Sequence, residues 1–157
     1  MKKIFAFLLI FCLSFALISC TAKTPEKAEE EVKLTPAEIA EKLVNGLEFG
    51  DVLEQTDNEI TFSKYGIDGS IITDAARYAG SGATADEVAV FECVDEDAVT
   101  TVMAAIDARQ SYLSESYASY GPDEVPKIEN AVVICDNLTV IFCIAVNSEA
   151  AEGIING

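Results

Sequence analysis

The stretch "AVVICDNLTVIFCIAV", residues 131–146, decides the fold. Two apolar runs, "AVVIC" and "LTVIFCIAV", are rich in β-branched residues, and Asp136-Asn137 between them marks a tight turn. Strands joined this closely lie antiparallel, because a parallel pair needs a long crossover. A second hairpin is expected upstream. "IITDAARYAG" (71–80) and "DEVAVFECV" (86–94) are strand-like, with the small residues of "GSGATA" (80–85) between them. In "DEVAVFECV" the alternation sets Val88 and Val90 on one face and Ala89, Phe91 and Cys93 on the other.

Helices are expected before each hairpin. Asp95 is placed to cap a long helix in which Val99, Val102, Met103, Ile106, Leu113 and Tyr117 recur at helical spacing. Glu96 and Asp97 favour its first turn through the helix dipole, and "YGP" (120–122) stops it. Nearer the N-terminus, "TPAE" (35–38) is a capping box: Thr35 caps, Pro36 takes the first helical position and Glu38 reaches back. Ile39, Leu43, Val44 and Leu47 then share one face. "QTDNEITFSKYGIDG" (55–69) reads as a connection anchored by Ile60, Phe62 and Tyr65, and "SEAAEGIING" (148–157) as a short closing helix capped by Ser148. The expectation is one α+β domain over residues 35–157. Its four-stranded, mainly antiparallel sheet is built from two helix–hairpin units with the helices packed on one face.

The N-terminal segment carries an address. Lys2 and Lys3 precede an apolar run, Ile4 to Ile18, that is short of the roughly 20 residues a spanning helix needs. The run ends in "LISC" (17–20), which resembles the bacterial lipobox. That resemblance implies a lipoprotein signal peptide over residues 1–19 and a diacylglyceryl group on Cys20. It places the chain on the extracytoplasmic face of the cell membrane. "TAKTPEKAEEEVKL" (21–34) has no apolar period, so residues 20–34 read as the lipidated cysteine and a flexible acidic tether.

Charge and residue types exclude several functions. The sequence holds 27 acidic and 10 basic residues, a net charge of −17. Such a surface repels phosphate polymers and lacks the basic footprint of a nucleic-acid binder. There is no histidine, so Ser-His-Asp and Cys-His catalytic groups cannot form within the chain. Ser63-Lys64, adjacent on an extended stretch, would point apart. A sugar cleft usually presents aromatic platforms, and there is no tryptophan. "DEDAVTTVMAAID" (95–107) lacks the glycine and terminal acid of a calcium loop, and no glycine-rich segment has a phosphate-loop ending. No cofactor or metal is expected. Of the five cysteines, Cys12 belongs to the signal and Cys20 carries the lipid. Cys93, Cys135 and Cys143 each lie in an apolar run and read as core thiols.

A few residues remain as binding candidates. Arg77 and Arg109 are the only arginines. Arg109 lies beside the stripe of the long helix, where its guanidinium either pairs with an acid or anchors an anionic ligand. Tyr112 lies off the stripe and is a candidate for a recognition patch. The loop "GSGATADE" (80–87) offers Ser81, Asp86 and Glu87 for a partner contact, because loops held by a rigid sheet often bind.

"FSKYGID" (62–68), "SGATADEVAVFEC" (81–93), "IDARQ" (106–110) and "YGPDEVPKIENAVVICDNLTVIFCIAV" (120–146) occur in an order and spacing with a family likeness. They resemble a family of small Gram-positive lipoproteins catalogued as a domain of unknown function (number 4358). The turn "DNLT" (136–139) departs from the family's usual glycine followed by an aromatic. The resemblance implies the domain limits and the lipid anchor, and it supplies no activity and no catalytic residues. The reading from sequence is a membrane-anchored lipoprotein whose domain is a non-catalytic interaction module for an unidentified envelope protein or small ligand. The alternatives are a solute- or ion-binding lipoprotein and a small hydrolase of unrecognised type.

Overall fold

The computed structural model describes residues 33–157. The expected signal peptide, the lipobox-like stretch, Cys20 and nearly all of the expected tether lie outside the described residues.

Helix α1 (Pro36–Gly46) begins as its capping box dictates. Thr35 accepts a bond from the Glu38 amide, and the Glu38 carboxylate accepts one from the Thr35 amide. Strand β1 (Glu54–Thr56) and helix α2 (Asn58–Tyr65) follow, then the hairpin of β2 (Ile72–Ala79) and β3 (Glu87–Cys93). The long helix α3 (Glu96–Tyr120) starts where the Asp95 carboxylate accepts from the Ala98 amide at 2.8 Å. After a short α4 (Val125–Glu129), β4 (Val132–Asp136) and β5 (Thr139–Ile144) form the second hairpin, and α5 (Ala151–Asn156) closes the chain. The strands lie in the order β1-β2-β3-β5-β4, every pair antiparallel.

The α+β class and the two hairpins stand, with three corrections. The sheet has five strands, because the stretch expected to be a connection contains most of β1 and all of α2. Helix signals were present there: Glu59 in the first turn, Lys64 in the last, and Gly66 in the left-handed conformation (φ 64°) as C-cap. Its apolar residues are too few for a clear stripe, so the periodicity is faint.

Second, the helices cover both faces of the sheet. Ala89, Phe91, Cys93, Val140, Phe142 and Ile144 pack towards α2, α3 and α4, around Tyr65, Val102, Ile106 and Ile128. Val88, Val90, Ile141 and Cys143 pack on the other side against Ile39, Ala40 and Leu43 of α1 and Ala151 of α5. Strands β3 and β5 are buried almost throughout, as the central strands of a three-layer sandwich must be.

Third, Cys135 is exposed, while Cys93 and Cys143 are buried free thiols. Cys143 faces the α1 side and Cys93 the α3 side. Strand β5 runs between β3, which carries Cys93, and β4, which carries Cys135. Burial pushes the Cys143 thiol up to about 12 and raises that of Cys93 as well. Two local details also differ. Asn137, with φ 52°, and Leu138 make the hairpin turn. Ser148 does not cap α5; its hydroxyl bonds the amide and carbonyl of Ala145.

Candidate functional site

Two adjacent carboxylates at the start of β3, Asp86 and Glu87, organise the buried charge of the domain. Glu87 faces the α3 side of the sheet, where the register sets it diagonally across from Arg77 of β2. Its Oε1 accepts bonds from Arg77 Nε and the Tyr65 hydroxyl, both at 2.7 Å. Its Oε2 accepts from an Arg109 terminal nitrogen at 2.7 Å. The two arginines of the sequence thus converge on one carboxylate that is only 2% exposed. Burial alone would raise the Glu87 pKa, but the bonds and charges of Arg77 and Arg109 outweigh it and hold the carboxyl below its ordinary value. Burial and the neighbouring Glu87 push the Tyr65 hydroxyl far above its usual range, so it stays a neutral donor. Thr56 of β1 accepts a bond from a terminal nitrogen of Arg77 at 3.3 Å, which ties the edge strand into the cluster.

Asp86 serves a different network at the rim of the sheet. Its Oδ2 accepts from the Gly50 amide at 2.8 Å, the Asp51 amide at 3.1 Å and the Thr84 hydroxyl at 2.8 Å. Its Oδ1 accepts from Lys127 Nζ at 2.6 Å, and Lys127 also pairs with Glu124 at 2.7 Å. Burial would lower the Lys127 pKa; the bonds to Asp86 and Glu124 outweigh it and raise the ammonium above its ordinary value.

The same network fastens the loop between β2 and β3. The Ser81 amide and hydroxyl both donate to Asp51, the Ala85 amide donates to Glu124, and the Tyr117 hydroxyl bonds the carbonyls of Thr84 and Gly82. A loop held from three directions is a rigid corner of the domain.

The candidates from sequence therefore separate. Glu87 and Arg109 meet in one ion cluster. Tyr112 is 62% exposed and lies beside the Arg109 guanidinium, 6.0 Å from its ring centroid, with the Tyr65 ring at 5.9 Å. Ser81 and Asp86 belong to the rim and reach neither Arg109 nor Tyr112 through the bonds described. Sequence reasoning missed Tyr65, Asp51, Glu124 and Lys127 and gave Arg77 no role. One signal was available: Arg77 is the lone cation of the strand-like "DAARYA", a poor place for an unpaired cation. The others meet their partners only through long-range folding.

Among the described residues, no group of three or more Cys, Asp or Glu side chains is placed to hold a metal ion, and no helix is long and apolar enough to cross a membrane. An open cleft of about 550 Å³ adjoins the rim network, lined in part by Gly50, Glu124, Lys127 and Glu149.

The fold is thus a three-layer α+β domain with an arginine-clasped glutamate on one side of its sheet. A family model described as a domain of unknown function (DUF4358) matches residues 46–145, and the chain belongs to that family. The matched segment contains both ends of each charge network. No curated protein and no solved structure matches the chain.

Proposed function

We propose that this is a non-catalytic binding module, held at the extracytoplasmic face of the membrane by a lipidated Cys20 and a short acidic tether. One observation carries the non-catalytic part. The buried charged side chains have their counter-charges at hydrogen-bond distance, and their neighbours drive Glu87 and Lys127 deeper into the charged form. Acid–base catalysis needs the reverse, a group moved towards the working pH. The anchor rests on "LISC" after a basic start and an apolar run.

The test is crosslinking in living cells, then affinity capture and mass spectrometry, with the Cys20→Ala chain as control. The module reading expects one dominant envelope partner that disappears in the control. Absence of an enriched partner would count against it.

A solute- or ion-binding role is the second reading, favoured by the cleft beside Lys127 and Glu124, whose volume lies in the range of small-ligand sites. A saturable, ligand-dependent rise in melting temperature, lost in Lys127→Ala, would move the weight to it.

A further inference from the structure

One buried donor is left over from the arginine cluster. Arg109 is 9% exposed, and the single hydrogen bond of its guanidinium among the described residues runs from a terminal nitrogen to Glu87. Its Nε is buried without a partner, the one side-chain nitrogen or oxygen so placed among the described residues. Native interiors pair nearly all such groups, so this orphan marks a place where an acceptor from outside the chain fits. The charges agree. Arg77 and Arg109 share one carboxylate, Glu87, and among the described residues no other acid lies within ion-pair distance of either. The cluster therefore holds one positive charge in excess, inside a chain whose net charge is −17. One side of the guanidinium is open. It lies between the buried Tyr65 ring at 5.9 Å and the Tyr112 ring at 6.0 Å, and Tyr112 belongs to neither apolar cluster. Long side chains on a helix lean back over the preceding turn, and on that side α3 carries only the small Ala105 and Ala108 beside them.

We propose that Arg109 and Tyr112 form a site for a small monocarboxylate with an apolar body. The ligand's carboxylate accepts from the unpaired Nε–H, and the Tyr112 ring covers the body. Arg109 thus takes both parts that the sequence left as alternatives, with one terminal nitrogen on Glu87 and its Nε on the ligand. Lysine could pair with Glu87, but it has no second donor fixed in a plane to offer. Charge selects among anions. One positive charge in excess is matched by a monoanion. A phosphate dianion would leave a net negative charge in the interior of a chain that already repels anions. The ring selects among carboxylates, because an aromatic body gains a contact with Tyr112 that acetate cannot make. The site lies apart from the cleft beside Lys127, whose lining includes neither residue. It depends neither on the lipid anchor nor on a protein partner.

NMR titration of the detergent-solubilised full chain tests it, read on the arginine Nε–H signals and on the backbone amides of residues 105–112. Arg77 and Arg109 are the only arginines, so the side-chain signals are few. Benzoate, acetate and inorganic phosphate are the probes. Benzoate is expected to move the Arg109 Nε–H signal downfield and to saturate, acetate to bind several-fold more weakly, and phosphate not to saturate. Arg109→Lys keeps a cation beside Glu87 and removes the Nε donor. It is expected to delete the responding signal and to weaken benzoate about tenfold on the backbone amides. Tyr112→Ala changes an exposed side chain, so the test does not hang on the fold tolerating Arg109→Lys. It should leave the thermal melt in place and weaken benzoate several-fold, with acetate unchanged. An Nε–H signal that no probe moves would overturn the proposal. So would unchanged benzoate binding in Arg109→Lys, or phosphate binding as tightly as benzoate. Benzoate binding unchanged in Tyr112→Ala would overturn the ring's part in the site.

Discussion

Asp86 and Glu87 are neighbours in the chain, both almost fully buried, and the molecule treats them differently. Glu87 lies under α3, paired with guanidiniums from β2 and α3 and hydrogen-bonded by a phenol from α2. Asp86 sits at the rim, where backbone amides of the segment after α1, a threonine and one lysine hold it. The first joins three elements to β3 through side chains alone. The second fastens a loop, with half its bonds to main chain. A buried carboxylate clasped by arginines is hard to do without, since its loss leaves cations stranded in the interior. A carboxylate at the rim leaves groups that water can reach.

That contrast predicts a graded series. Glu87→Gln strands two guanidiniums and should cost about 3–5 kcal/mol, seen as a large fall in the urea midpoint. Arg109→Ala should also destabilise, because Glu87 loses one of its two cations; unchanged stability together with weakened anion binding would return Arg109 to the role of a ligand anchor. Asp86→Ala removes charge-assisted bonds at the rim and should cost about 1.5–3 kcal/mol, with faster proteolysis between residues 80 and 86. Tyr117→Phe, which frees the loop carbonyls of Gly82 and Thr84, should cost about 1 kcal/mol. Equal losses from Glu87→Gln and Asp86→Ala would break the comparison.

Acid and alkali should separate the same two networks. The folded Glu87 pKa lies below its ordinary value of 4.5, so its contribution is present above 4.5 and is lost as pH falls through the folded pKa. The Lys127 pKa lies above its ordinary 10.5, so its contribution is complete below 10.5 and is lost as pH rises through the folded value. Glu87→Gln should therefore flatten the acid limb of a stability–pH curve, and Lys127→Met the alkaline limb. The measurement is the urea midpoint across the pH range for both variants and the parent chain.

Much of this fold was legible in short-range signals. The capping box at Thr35, the Asp95 cap and the alternation of "VAVFEC" each report a local preference, and each element formed where those signals put it. The two-sided packing was also present in the sequence. Val88 and Val90 on one face, with Ala89, Phe91 and Cys93 on the other, already required an apolar layer on each side of β3. What stayed hidden was relational. Glu87 gives no sign in sequence that Arg77 and Arg109, one on a neighbouring strand and one on a helix, will meet it. The loop at residues 80–87 has the small residues of a flexible connection, and its rigidity comes from Asp51, Glu124 and Tyr117, all distant in the chain. Helix α2 was obscured because its buried face consists largely of Thr61 and Tyr65.

The most direct test of these unequal roles is backbone hydrogen exchange on Glu87→Gln, Asp86→Ala and the parent chain. Protection should fall across all five strands and α3 in Glu87→Gln. In Asp86→Ala it should fall only around residues 50–51 and 80–86, with the central strands unchanged. Local loosening in Glu87→Gln, or sheet-wide loss in Asp86→Ala, would contradict the assignment of the fold to one carboxylate and the loop to the other.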